Sequence, residues 1–172
     1  MSTVDVIVEI PLGESTKYEF DHETGLMRGD RRMTTPMTYP GNYGFIPNTI
    51  SGDDDPIDVI IPVSYKLLQS TIHRCRVIGA LITQDEACVD EQGQVVKGKH
   101  DEKIIAIPVY DKGLNHWQNY SDLPTEVRGA IRYFFEHYKD NEPNKWVKII
   151  EEVDGAAALK IIAEYASHTK EA

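Results

Sequence analysis

Short runs of β-branched residues, broken by turn signals every ten or so positions, restrict this fold more than any other feature of the chain. "DVIVEI" (5–10) alternates apolar and polar residues, with Val4, Val6 and Val8 on one face and Glu9 on the other. "TKYEFD" (16–21) alternates in the opposite sense, and Glu23-Thr24-Gly25 reads as a turn between it and a second short strand. "DVIIPV" (58–63), "RCRVIGALIT" (74–83) and "KIIAIPVY" (103–110) are dense in β-branched residues and read as strands. Short strands at this spacing favour a closed barrel over a parallel sheet. Helical period comes late. "LPTEVRGAIRYFFEHYKD" spaces Val127, Ile131, Phe134, Phe135 and Tyr138 for one helix face, with Pro124 near its start. "DGAAALKIIAEYASH" does the same through Leu159, Ile162, Ala163 and Ala166, with Asp154 as a candidate N-cap. The picture is a single domain over 1–172, a strand-rich barrel with two helices packed outside it.

Charge narrows the function. Eighteen basic residues against 28 acidic ones give a net charge of −10, which argues against a nucleic-acid backbone as partner. Bound cations could reverse the local field for a smaller phosphate compound. No apolar run reaches the roughly 18 residues of a membrane span. The opening "MSTVDVIVEIP" lacks the basic flank and long apolar centre of a signal peptide. Cys75 and Cys88 have neither metal-ligand nor disulfide-framework spacing, so a cytoplasmic location and no membrane partner are expected.

The acids are unevenly spread. "SGDDDPIDVII" (51–61) places Asp53, Asp55 and Asp58 where a turn and the strand after it can converge their carboxylates, with Pro56 stiffening the backbone. Oxygen donors of this kind bind hard cations such as Mg²⁺. A solvated acidic turn is the plainer alternative, but a charge opening an apolar strand, as Asp58 does, is hard to explain as mere solubility. An EF-hand loop is excluded, since its Gly and Glu positions are here Asp58 and Ser64. Glu9, Asp85 and Asp101 are further acids at strand positions. "KYE", "DRR", "DEK" and "HYKD" set Lys17, Arg31, Lys103 and Lys139 beside acids, Arg31 suiting a bidentate phosphate contact. Taken singly, each is a surface ion pair of little worth. "TYPGNYGFIPNT" adds Tyr39 and Tyr43, whose hydroxyls can donate to phosphoryl oxygens or serve packing alone.

The stretch "DDDPIDV", together with "VIVEIP", "KYEFD", "DRRM", "YPGNYGFIP", "IIAIPVYD" and "FFEHYKDNEPNKWVKI" in order, resembles the soluble family I inorganic pyrophosphatases of bacterial type over nearly the whole chain. The fold this implies is mainly β (α+β): a five-stranded, OB-like closed β-barrel with peripheral hairpins and two main helices outside. The implied activity is Mg²⁺-dependent hydrolysis of inorganic pyrophosphate to two phosphates, by a metal-activated water attacking phosphorus directly. The resemblance makes Asp53, Asp58, Asp85 and Asp101 metal ligands. Asp55 also touches the ions and is the general base. Lys17, Arg31, Tyr43, Lys103, Tyr138 and Lys139 contact the phosphates, with Glu9, Glu19 and Tyr39 in support. A homohexamer, a dimer of trimers, is implied around the helix carrying His137, where Tyr133 replaces a second histidine of some relatives.

Two departures from the family pattern stand out. Asp54 fills a slot usual for Gly or another small residue, and "EACVDEQGQVVKGKH" lengthens the connection from Asp85 to Asp101, with Gly93 suggesting an extended hairpin. Asp90 and Glu102 therefore compete with Asp101 for its role. A nucleotide or polyphosphate hydrolase and a nucleic-acid-binding barrel are the rival readings; no P-loop supports the first, and the net charge opposes the second.

Overall fold

The computed structural model describes residues 2–96 and 99–166. In chain order the strands are β1 (Thr3–Ile10), β2 (Thr16–Asp21), β3 (Leu26–Arg32), β4 (Asn42–Phe45), β5 (Asp58–Ile61), β6 (Ile72–Asp85), β7 (Asp101–Pro108) and β8 (Val147–Asp154). Helix α1 spans Thr125–His137 and α2 spans Gly155–Ala166. Five strands hydrogen-bond in the order β1-β4-β5-β7-β6, and β6 pairs back to β1, closing the sheet into a ring. Every neighbour is antiparallel except β5–β7. The long β6 serves three partners: β7 along one edge, and on the other edge β1 with its first part and β8 with the rest. Strands β2 and β3 form a separate hairpin. The expected mainly β ring with two helices is what the chain adopts.

Strand alternation builds two cores. Val59 and Ile61 join one cluster with Val6, Val8, Ile104 and Ala106, while Ile60, Ile105 and Ile107 face a second. The first cluster is closed by Ala158 and Ile162 of α2, the second by Ile131, Phe134 and Phe135 of α1. A register shift between Val8 and Ile10 sends Ile10 into the second cluster and leaves Glu9 at a bulge. A helix of 13 residues is marginal by itself. Its three large buried side chains contribute about 1.5–3 kcal/mol each, which fixes α1 as a rigid wall.

Some sequence expectations need correction. Strands read through to Val63 and Tyr110 stop at Ile61 and Pro108: Pro62 has no N–H to continue its ladder, and after Pro108 the chain turns, with Asp111 N donating to Pro108 O at 3.2 Å. On α2 the buried face is Gly155, Ala158 and Ile162, with Ala163 and Ala166 exposed. Small residues there let the helix approach the sheet closely. Asp154 precedes α2 but its carboxylate accepts from Ser121 N and Oγ, each at 3.1 Å, while Asn119 Oδ1 takes the Gly155 N–H. His168, the last residue of the predicted helical stretch, lies outside the described residues.

Candidate active site

A cavity of about 320 Å³ opens between the β2–β3 hairpin, the rim of the ring and the end of α1. Every side chain that the family resemblance assigns to the site lines it. The turn before β5 supplies Asp53 and Asp55, and β5 supplies Asp58. The end of β6 supplies Asp85 and the start of β7 supplies Asp101 and Lys103. Lys17, Glu19 and Arg31 come from the hairpin, Tyr39 and Tyr43 from the segment around β4, Tyr138 and Lys139 from the C-terminal end of α1.

Local hydrogen bonds hold the acidic turn. Ser51 N donates to Asp55 O (2.8 Å), Asp54 N to Ser51 O (3.1 Å) and Asp55 N to Asp53 Oδ1 (3.1 Å), and the Ser51 hydroxyl also donates to Asp53. Asp54 has φ +66°, the left-handed region that glycine enters freely, which explains why a small residue is usual in this slot. Thr49 Oγ1 ties the turn down by donating to Ile46 O at 2.6 Å and accepting from Ile57 N at 3.1 Å. In β4, Gly44 has no substitute: a Cβ there would meet Ile7 O at 1.9 Å.

The cations sit among the acids. Lys103 Nζ lies 2.7 Å from Asp58 Oδ2 and 2.8 Å from Asp101 Oδ2. Burial pulls the Lys103 ammonium down, but Asp101 and Asp58 outweigh it and hold its pKa well above the ordinary value. Asp58 is raised by burial in spite of Lys103. Lys17 reaches Glu19 at 3.0 Å and Asp30 at 3.6 Å, and Lys139 reaches Asp85 at 3.7 Å. Arg31 Nη1 pairs with Glu142 at 2.6 Å. Glu9 Oε2 accepts from Phe20 N at 2.8 Å, pinning the hairpin to β1, and burial lifts its pKa to about 7. Burial also raises Asp55, helped by the charges of Asp53 and Asp58, and pushes the phenols of Tyr39 and Tyr43 up. Tyr39 is packed against Phe134 and Tyr43, with ring centroids 4.7 and 5.6 Å away.

The competitors of Asp101 point elsewhere. Asp90 Oδ1 accepts from Gln92 N and Gln94 N within its own turn, where, among the described residues, Val89 and Val95 form an antiparallel bridge. Glu102 faces away from the cavity toward Tyr165 and His100. Glu142 and Asp30, the partners of Arg31 and Lys17, were not singled out from the sequence. Asp30 could have been, as the acid of "DRR"; Glu142 lies 111 positions from Arg31 and left no local signal.

Among the described residues no three His, Cys, Asp or Glu side chains are grouped tightly enough to form a ready-made metal cage. Instead Lys103 stands between Asp58 and Asp101. The donor set nonetheless fits a hard divalent cation. Seven carboxylates against four Lys and Arg side chains leave the lining three charges negative with Glu9 ionised, so a polyanion could enter only with cations beside it.

A ring-closed sheet whose rim carries hard oxygen donors beside fixed cations defines a class of site, one with the charges to engage both cations and an anion. A family model described as inorganic pyrophosphatase matches residues 6–170. An inorganic pyrophosphatase of Agrobacterium fabrum is 44% identical over 168 residues, covering 94% of this chain and 86% of that one. One of Saccharolobus solfataricus is 42% identical over 148 residues, covering 85% and 80%. The solved structure of an inorganic pyrophosphatase from Coxiella burnetii superposes with a TM-score of 0.88 at 36% identity, covering 98% of this chain and 96% of that one. The Thermus thermophilus enzyme gives 0.87 at 35% identity, covering 99% and 92%. The chain belongs to the inorganic pyrophosphatase family.

Proposed function

We propose that the chain hydrolyses inorganic pyrophosphate to two phosphates with Mg²⁺ at this cavity, and that it does so as one domain over residues 1–172. The observation that carries the reading is the meeting of seven carboxylates with four cations around one open cavity in a member of this family. Asp53, Asp55, Asp58, Asp85 and Asp101 would hold the ions. Bound there, Mg²⁺ would offset the charge of the diphosphate and lower the pKa of a water toward neutrality.

The remaining work falls to the protein's own side chains. Lys17, Arg31, Lys103 and Lys139 take the phosphate oxygens, and the hydroxyls of Tyr43 and Tyr138 donate to them. Arg31 has donors to spare beyond the one given to Glu142. Asp55 accepts the proton of the attacking water as its oxygen bonds to phosphorus and the bridging P–O bond breaks. Glu9, Glu19 and Tyr39 support the hairpin and the wall. No Ser, Cys or His nucleophile is required.

Phosphate release from pyrophosphate, with and without Mg²⁺, tests the reading. Fast release only with the metal, and far slower release from ATP or longer polyphosphates, is the expected result. Metal-independent release, or a preference for ATP, would reject it. A cytoplasmic location and a homohexamer go with this function. The second receives support from Tyr133, exposed on α1 with its ring 4.5 Å from that of His137. A monomer in sedimentation equilibrium would exclude the hexamer.

A further inference from the structure

We propose that Tyr165, acting with Glu102 and His100, is a positioning group that fixes the separation of the two acid-bearing segments of the cavity and thereby sets its affinity for divalent cations. The proposal rests on the metal-dependent reading above. Glu102 stands between Asp101 and Lys103, which line the cavity; strand alternation turns it to the opposite face, where it is 4% exposed. There its Oε1 accepts the Tyr165 hydroxyl at 2.7 Å and meets His100 Nε2 at 2.9 Å. Tyr165 belongs to the last turn of α2 and packs on the core cluster that contains Val59 and Ile104. A Cβ built on Gly52 would lie 3.8 Å from the Tyr165 oxygen. The same hydroxyl therefore lies beside the turn carrying Asp53 and Asp55 while it bonds the strand carrying Asp101.

Nothing in the hydrolytic scheme uses Glu102 or Tyr165, yet burying a carboxylate requires strong partners. Ions shared by carboxylates from separate segments need those segments held to within about 0.5 Å. A tyrosine anchored in a helix and bonded to a strand supplies that restraint from behind. Removing the hydroxyl leaves His100 as the named partner of Glu102 and loosens the hold of α2 on β7, so the strand can shift relative to the 51–55 turn.

The test is Mg²⁺ binding to the full chain by titration calorimetry without substrate, beside kcat at saturating Mg²⁺ and thermal unfolding. Tyr165→Phe is expected to weaken Mg²⁺ binding about fivefold, below the roughly 10–100-fold seen when a group bonded directly to a metal ligand is lost. Its kcat at saturating Mg²⁺ should stay within about twofold of the parent. Glu102→Gln, which keeps volume and a weaker acceptor, should shift affinity in the same direction and serves if Tyr165→Phe does not fold. Unchanged Mg²⁺ affinity in the folded variants, with or without a lower Tm, would overturn the proposal and leave the metal-dependent reading intact. A parent chain that binds no Mg²⁺ would overturn both.

Discussion

Replacing Lys103 with Met tests the electrostatics of the site most directly. The substitution keeps an unbranched stem of similar reach in the pocket below Tyr43 and Phe135, whose ring centroids lie 5.7 and 5.8 Å from Nζ. It removes the cation 2.7 Å from Asp58 and 2.8 Å from Asp101. Two neighbouring carboxylates then face each other unpaired, and one escapes by taking up a proton. Holding an Asp neutral at pH 7, against an unfolded pKa of about 3.9, costs about 4 kcal/mol at about 1.4 kcal/mol per pH unit. The side chains of Asp58 and Asp101 are 28% and 26% exposed, so solvent reduces this to about 3 kcal/mol, or about 6–12 °C in Tm for a chain this size. At pH 5 the same proton costs only about 1.5 kcal/mol before any reduction for solvent. The unfolded carboxylate binds little proton at pH 7 and the folded one must bind it, so the deficit shrinks as pH falls. Urea unfolding of parent and variant without divalent ions, at pH 7 and pH 5, gives both numbers. Millimolar Mg²⁺ should recover part of the pH 7 loss in the variant. A deficit under about 1 kcal/mol at pH 7, or an equal deficit at both pH values, would refute the reasoning.

Substitutions at three other positions follow from the same geometry. Asp55→Asn keeps shape but removes the base, and turnover of pyrophosphate should fall about 10²–10⁴-fold with unchanged unfolding; near-normal turnover would show the proton goes elsewhere. Asp54→Gly relieves a φ of +66° and should raise stability by about 0.5–1 kcal/mol in urea unfolding, whereas Asp54→Val should lower it. Glu9 has its folded pKa raised from 4.5 to about 7, first by burial, so the fold holds a proton that the unfolded chain releases over that range. Stability is consequently lost as pH rises from about 4.5 to 7. Glu9→Gln should therefore stabilise the metal-free protein by about 1–3 kcal/mol at pH 8 and by little at pH 4.5, while a uniform effect across pH would contradict the assigned burial.

The parts legible in the sequence were those whose cause is local. Alternation over 5–10 reports a strand with one buried face, the apolar run over 104–108 reports a strand buried on both, and the spacing of Ile131, Phe134 and Phe135 reports a helix with one apolar side. The acidic turn was legible because Asp53, Asp55 and Asp58 carry both the chemistry and the turn in one stretch. Strand β8 was hidden. Along the stretch that pairs with β6, the doubled residues Ile149-Ile150 and Glu151-Glu152, at a register shift, break the alternation that marks a half-buried strand. Strand β4 was hidden for the opposite reason: "NYGF" is poor strand composition, and its four residues are all buried. Asn42 earns that place by bonding across three segments, accepting from Leu12 N and Leu67 N and donating to Tyr65 O. The pairing of Arg31 with Glu142 was equally beyond reach, since only the folded ring brings the hairpin beside the turn after α1. Asn141 Nδ2 donates to Thr34 O at 2.7 Å at the same junction, so hairpin and turn are joined at two points. Local sequence can therefore announce which groups do chemistry, while the distances between them depend on contacts spread along the chain. Substitution of the base Asp55 should act chiefly on kcat, and those at the joints, such as Asn141 or Tyr165, chiefly on ligand affinity.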